Sequence, residues 1–112
     1  MIRFMFLRNK AGSPVGCIAV DGPIQQGNTY VLPYGLSVLN PLDKFDRALA
    51  RNIAVGRLNN STTQRTGQVY DIKQPNMHTI SKAVMRDLLI NPHAPSRARK
   101  AARLWLTNNA TR

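Results

Sequence analysis

The stretch Asn40–Leu58, NPLDKFDRALARNIAVGRL, decides the fold because it carries the signals of a long helix. Asn40 can cap a first helical turn, and Pro41 suits the first helical position, where its missing N–H would have no partner. Asp43 and Asp46 follow at the positive end of the helix dipole, which favours acidic side chains. The stretch therefore predicts a helix over about residues 41–58.

This predicted helix has two distinct faces. Apolar side chains recur at a spacing of three to four residues, at Leu42, Phe45, Leu49 and Ile53. Basic side chains recur at the same spacing, at Lys44, Arg47 and Arg51, with Arg57 close to the end. Because this spacing puts side chains on one side of a helix, we expect the apolar face to pack and the basic face to meet solvent.

The composition is strongly basic. The chain has 112 residues, 16 Lys and Arg against 5 acidic residues, and a net charge of +11. This length suits one domain, and a hydrophobic content of 43% argues against disorder throughout. Since solubility needs only a few charges, the excess predicts a polyanion or an acidic protein as the partner.

The single cysteine and the N-terminus bear on localisation. Cys17 alone excludes an internal disulfide and a cysteine-based zinc cage within one chain, so we expect a small buried side chain in a reducing cytoplasm. The N-terminal apolar run is too short for a signal peptide. No stretch approaches the ~18–20 apolar residues of a membrane span. We expect a soluble, unprocessed cytoplasmic protein with no membrane contact.

The first third of the chain predicts an antiparallel sheet. Residues 2–9 and 15–21 alternate around a short polar turn, as in a hairpin. Residues 22–28 have the composition of a loop. Residues 29–39 return to a strand pattern that Pro33 and Gly35 should kink. A short fourth strand over residues 68–72 is a weaker expectation.

Two further helices follow a polar stretch, residues 59–66, that we expect to be a mobile loop. Asn76 opens a helix over 77–90, and Ser96 can cap another over about 97–109. The last helix has a small apolar side that includes Trp105. It also carries four basic residues: Arg97, Arg99, Lys100 and Arg103. The whole predicts a single α+β domain over residues 1–112, with a three- or four-stranded antiparallel sheet and three helices in two layers.

Catalytic and cofactor chemistry is not indicated. Asp43 and Asp46 are explained by the helix start, and His78 and His93 have no neighbour at metal-ligand spacing. No glycine-rich nucleotide fingerprint occurs. We therefore expect a protein that is not an enzyme and that holds no metal or cofactor.

Exposed aromatic rings would support binding of single strands, because bases stack on them. The candidates for stacking, or for anchoring a protein partner, are Tyr34, Tyr70 and Trp105. The phenylalanines of the first strand are better explained as core residues.

Two segments carry a resemblance, Phe6–Val20 (FLRNKAGSPVGCIAV) and Tyr34–Leu58 (YGLSVLNPLDKFDRALARNIAVGRL). Over about half of its length, the protein resembles small uncharacterised proteins encoded by tailed bacteriophages and prophages. The resemblance implies a phage protein acting in the cytoplasm of an infected bacterium, and it supplies no catalytic residues.

The leading functional hypothesis is non-specific binding of DNA or RNA through the basic residues of the first and last helices. One alternative is a phage inhibitor that docks on an acidic host protein, which would need an apolar anchor. Another is a virion or assembly component. The sequence leaves the form of the nucleic acid and the oligomeric state open.

Overall fold

A computed structural model of the protein describes residues 1–70 and 75–109. The predicted α+β fold class is confirmed: an antiparallel sheet is packed by three helices. The described residues form five strands rather than three or four. The strands are β1 (Arg3–Arg8), β2 (Pro14–Val20), β3 (Ile24–Gln26), β4 (Thr29–Val38) and β5 (Arg65–Val69). The helices are α1 (Arg47–Leu58), α2 (Met77–Ile90) and α3 (Ser96–Asn108).

Strand β4 is the centre of the sheet. Its residue Tyr34 pairs with Val20 of β2 on one side and with Arg65 of β5 on the other. Strand β3 pairs with the first residues of β4 and lies on the same side as β2. The predicted hairpin of β1 and β2 is confirmed, and β1 is the edge strand beyond β2.

The expectation of a loop over residues 22–28 is wrong at Ile24–Gln26, which form β3. Gly27 has a φ of +63° and occupies the first central position of the two-residue turn into β4. Glycine is favoured there because other residues rarely adopt a positive φ. The polar composition therefore reflects a hairpin turn between two strands.

Both faces of the sheet are covered, so the protein has three layers instead of the two expected. Ile18 and Val20 of β2 belong to a core that α2 and α3 complete, while Cys17 and Ala19 belong to a separate cluster under α1. Since successive strand residues point to opposite faces, a strand that is apolar at every position needs cover on both sides. The predicted arrangement assumed cover on one face only.

Helix α1 begins six residues later than predicted, at Arg47 instead of at residue 41. Asp46 is its N-cap, and its carboxylate accepts a hydrogen bond from the backbone N–H of Leu49 at 3.1 Å. Asn40 makes an equivalent bond to the N–H of Leu42 within a separate tight turn. Both residues are capping types, but only Asp46 is followed by helix.

The predicted packing face of α1 is also wrong. The helix buries Ala54 and Leu58 against β4, at a point where Gly35 leaves space for the helix backbone. The larger side chains point to solvent: Leu42 is 92%, Leu49 55% and Ile53 37% exposed. Such a close approach admits only small side chains at the centre of the contact. Of the predicted apolar face, Phe45 alone is half-buried, beside Phe6.

The later helices follow the sequence closely. Helix α2 spans the predicted residues 77–90, and the side chain of Asn76 caps it by accepting from the N–H of Thr79 at 2.9 Å. Helix α3 begins at Ser96, one residue earlier than predicted, so that Pro95 occupies the cap position and makes no side-chain bond. None of the described helices is long and apolar enough to cross a bilayer.

The predicted mobile loop over residues 59–66 is wrong for its last two residues, which belong to β5. In the part before β5, the Thr63 hydroxyl donates to the Arg57 carbonyl at 2.9 Å. The Gln64 amide donates to the Leu58 carbonyl at 2.8 Å. The fourth strand predicted over 68–72 thus starts earlier, at Arg65, and residues 71 and 72 lie outside the described residues.

Candidate nucleic-acid interface

Among the described residues, the carboxylates form no close ion pairs with the lysines and arginines. Within this part of the chain, the only ion pair closer than 4.0 Å joins the N-terminal ammonium to Asp21, at 3.5 Å. Asp46 caps α1, and Asp87 accepts a hydrogen bond from the Tyr34 hydroxyl at 2.6 Å. Among the described residues, therefore, no lysine or arginine has a carboxylate within 4.0 Å.

Two arginines of α1 lie over the phenylalanines of β1. The guanidinium of Arg47 is 4.7 Å from the ring centroid of Phe6, and that of Arg51 is 5.0 Å from the centroid of Phe4. Residues four apart on a helix and two apart on a strand each share one side, so the two pairs align. Both arginines remain exposed, because the rings hold the planar head groups at the surface. Lys44 is also exposed, but it precedes α1 and is not part of its basic face.

Cys17 lies under the same helix and is completely buried, as predicted. Burial raises the pKa of its thiol from the ordinary value of 9.0 to about 11, and the positive charges of Arg51 and Arg47 oppose that rise. The side chain is therefore a neutral thiol at physiological pH, and it serves as a small core residue.

Arg57 and Arg97 are partly committed to the fold. Strand β5 starts opposite Tyr34, so the next outward carbonyl of β4, at Leu36, has no strand partner. Arg57 donates to this carbonyl at 2.6 Å, and Arg97 donates to the carbonyl of Leu39. These arginines satisfy buried backbone groups, which leaves them less free to contact a ligand.

Helix α3 presents two exposed cations, Lys100 and Arg103. Its inner side packs through the small residues Ala98, Ala101 and Ala102. Arg99 is half-buried, and its Nε atom has no hydrogen-bond partner among the described residues. Of the four basic residues predicted on this helix, two therefore face solvent freely.

The two basic helices lie on opposite faces of the sheet, yet both reach the edge strand β1. Helix α1 covers the face that carries Phe4, while α3 packs on the opposite face, where Met5 joins its core cluster. Two further cations, Arg8 and Lys10, are exposed on β1 and its turn. Neither residue was predicted as part of the interface, although basic residues at a strand end and a turn are typical of an exposed edge.

The three candidate aromatic residues differ in accessibility. Tyr34 is 0% exposed, and its hydroxyl is bonded to Asp87, so its prediction as a stacking residue or anchor is wrong. Burial and this bond raise the pKa of Tyr34 well above its ordinary range. Tyr70 is 77% exposed. Trp105 is half-buried, with the ring of His78 beside it at a centroid distance of 6.0 Å.

An open groove of about 570 Å³ lies between β1 and the C-terminal half of α3. Its lining combines apolar, cationic and amide side chains, among them Leu7, Arg8, Lys10, Leu104, Trp105 and Asn108. No acidic residue lines it among the residues that the structure describes. The groove places an aromatic residue and two cations within one concave surface.

A second cleft, of about 470 Å³, lies at the far end of β4. Arg57 and Arg65 line it together with His93 and the carboxylate of Asp87. Because it includes an acid, this cleft is less strongly cationic than the groove beside β1.

The described residues contain no group of three or more His, Cys, Asp or Glu side chains that could hold a metal ion. No protein-family model matches the chain, and no curated protein and no solved structure shows significant similarity to it. The relationship to phage proteins stays a prediction from the sequence.

Proposed function

We propose that the protein binds nucleic acid through the phosphate backbone, with little sequence preference and without catalysing a reaction. The observation that carries this proposal is that, within residues 1–70 and 75–109, no lysine or arginine forms an ion pair closer than 4.0 Å. Cations that are not paired internally attract phosphates and release the counterions condensed on them, which favours binding.

The proposed contact surface follows the β1 edge of the sheet. Arg47 and Arg51 border this edge from one face, and Arg8 lies on the edge itself. Lys100 and Arg103 of α3 contribute from the other face. Lys44 extends the surface before α1, while Arg57, Arg97 and Arg99 have a smaller role because they are partly buried or bonded to the backbone.

The experiment is a fluorescence-anisotropy titration with labelled DNA and RNA, single- and double-stranded, at about 50 and 200 mM salt. We expect binding at the lower salt that weakens by orders of magnitude at the higher salt. The double variant Lys100→Glu/Arg103→Glu should lose about tenfold or more in affinity and show a shallower salt dependence.

The matched control is Lys82→Glu/Arg86→Glu on α2, which changes the net charge by the same amount. These residues line a surface beside β5, at the opposite edge of the sheet from β1. The control should therefore bind more tightly than the α3 variant. Equal losses in both would contradict a surface localised at β1, and no binding at the lower salt would overturn the proposal.

A second candidate function is docking on a host protein, as expected of a phage inhibitor. It is favoured by the exposed Leu49 and Ile53, four residues apart on α1, since apolar side chains grouped at a surface are typical of protein interfaces. Leu49 and Ile53 also line a cleft of about 450 Å³ beside Val38. A purified host partner captured by the protein but not by Leu49→Asp/Ile53→Asp would support this candidate.

A further inference from the structure

We propose that the groove between β1 and α3 binds unpaired bases of single-stranded nucleic acid, with Trp105 as the stacking residue. This inference rests on the proposed function and narrows its substrate class. It begins from the position of Trp105, a half-buried residue that packs against the main core and also lines an open groove.

The groove offers the chemistry that a nucleotide requires. Leu104, which is half-buried like Trp105, provides apolar surface beside it, which suits the flat face of a base. Asn108 and Asn109 supply amide groups at the end of α3. Amides can both donate to and accept from the polar edge of a base.

The opposite rim suits a phosphate. Arg8 and Lys10 are both exposed there, and one nitrogen of the Arg8 guanidinium donates to the Gly12 carbonyl at 2.9 Å. That bond holds the guanidinium at the turn, while its other N–H groups remain available for an anion. Apolar surface and a cationic rim thus meet in one groove.

The geometry selects single strands. In a duplex, the neighbouring bases cover both faces of each base, so a stacking site requires a base that has left the stack. The groove volume of about 570 Å³ lies within the usual range for small-ligand sites, about 300–1,000 Å³. The phosphate contacts of α1 and α3 can then hold the flanking backbone.

The edge of β1 could also pair with a peptide strand, because no described strand pairs with its outer side. The lining favours nucleic acid over a peptide, since two cations and no acid face the groove among the described residues. A peptide addition would use the strand backbone and would not require an aromatic residue at the position of Trp105.

Trp105 is the only tryptophan of the chain, so intrinsic tryptophan fluorescence reports on this groove alone. The probes are an oligothymidine, an abasic strand of the same length and phosphate charge, and a duplex, each at about 50 mM salt. We expect the oligothymidine to quench the fluorescence strongly. The abasic strand and the duplex should bind by anisotropy with little quenching.

Substitution of Trp105 separates stacking from charge. Trp105→Leu should weaken binding of the oligothymidine about tenfold, as loss of one stacked base predicts, and leave binding of the abasic strand unchanged. Trp105→Phe should retain most of the affinity, because a phenyl ring still stacks. Tyr30→Leu, at a half-buried tyrosine of β4 that does not line the groove, is the matched control and should change neither.

The outcomes distinguish this inference from the proposed function. Equal binding of thymidine and abasic strands without quenching would overturn the stacking site and leave the phosphate surface intact. Failure of every strand to bind would overturn both. Because Trp105 is half-buried, its variants are compared by circular dichroism, and Lys10→Glu provides an exposed second variant that should weaken binding of all strands.

Discussion

The two faces of the sheet are built in different ways. On the face covered by α2 and α3, large side chains such as Tyr34, Leu32 and Ile80 are fully buried in one continuous core. On the face covered by α1, the buried cluster is small and includes Cys17 and Ala54. Burial of apolar area therefore stabilises the first face, whereas the second depends on the close approach of α1 to the sheet.

The α1 face is also held by polar and cationic contacts. The Ser37 hydroxyl donates to the Ala50 carbonyl at 2.9 Å, and Arg57 donates to a carbonyl of β4. Arg47 and Arg51 cover the rings of β1. Some cations proposed to bind phosphate thus also hold α1 in place, so their substitution is expected to change both stability and the proposed binding.

The largest effect should come from Gly35→Ala. A Cβ at residue 35 would overlap the Ala54 carbonyl oxygen and the Leu58 amide nitrogen, and these backbone atoms cannot move aside without displacing α1. We expect a loss of about 3 kcal/mol or more in the free energy of unfolding, measured by urea denaturation.

The control for this substitution is Gly56→Ala on the open side of the same helix, where nothing lies within 4 Å of the added Cβ. It should stabilise the protein by about 0.5–1 kcal/mol, because alanine is the better helix former. If Gly35→Ala were as stable as the wild type, the close approach of α1 to β4 would be wrong.

A second effect concerns Cys17 and alkaline pH. Because burial raises the pKa of its thiol from 9.0 to about 11, the unfolded chain releases this proton at lower pH than the folded protein does. The contribution of the protonated thiol to the free energy of unfolding is fully present below pH 9 and is lost as the pH rises toward 11. Relative to Cys17→Ala, the wild type should lose about 2–3 kcal/mol more over this interval.

Urea denaturation of both proteins at several pH values between 8 and 11 checks this expectation. The contribution of Tyr34, whose pKa is also raised, is common to the two proteins and cancels in the comparison. Parallel curves for wild type and variant would show that the Cys17 thiol is reached by water, and that the α1 face is less tightly packed than described.

The smallest effect should come from Arg51→Met, which keeps the aliphatic stem and removes the charge above Phe4 and Phe6. We expect a loss of about 0.5–1 kcal/mol in the free energy of unfolding, and a smaller loss in a Phe4→Leu background. Lys44→Met, before α1, is the matched control and should leave the stability nearly unchanged. Equal losses at both positions would assign the effect to general charge.

How far the sequence predicted the fold differs between the same two faces. Helix α2 was predicted to the residue, because Asn76 is its cap and Ile80, Val84 and Leu88 are large residues that are in fact buried. Its partner surface accepts large side chains, so hydrophobic spacing identifies the packing face correctly. Local sequence signals are enough to predict a helix and its packing face where the core consists of large hydrophobic side chains.

The hydrophobic spacing of α1 predicted the wrong packing face for a physical reason. Leu49 and Ile53 form the more hydrophobic stripe, but Gly35 on a distant strand brings the helix so close that Ala54 is selected for burial. No local signal in the helix encodes that distance. The same limit applies to the candidate interface, since charge can be counted from a sequence but the meeting of α3 with the β1 turn depends on the tertiary fold.

The central position of β4 has a consequence for the order in which the protein can assemble during synthesis. Strands β1 to β4 and α1 occupy residues 3–58, so four strands and the helix that covers one face of the sheet are synthesised before β5 and α2. Until then, the face that carries Leu32 and Leu36 has no cover, and the side of β4 that pairs with β5 has no partner. During synthesis the chain therefore exposes an apolar face and an unpaired strand edge, both prone to aggregation. They are covered only when β5 and the C-terminal helices have been added.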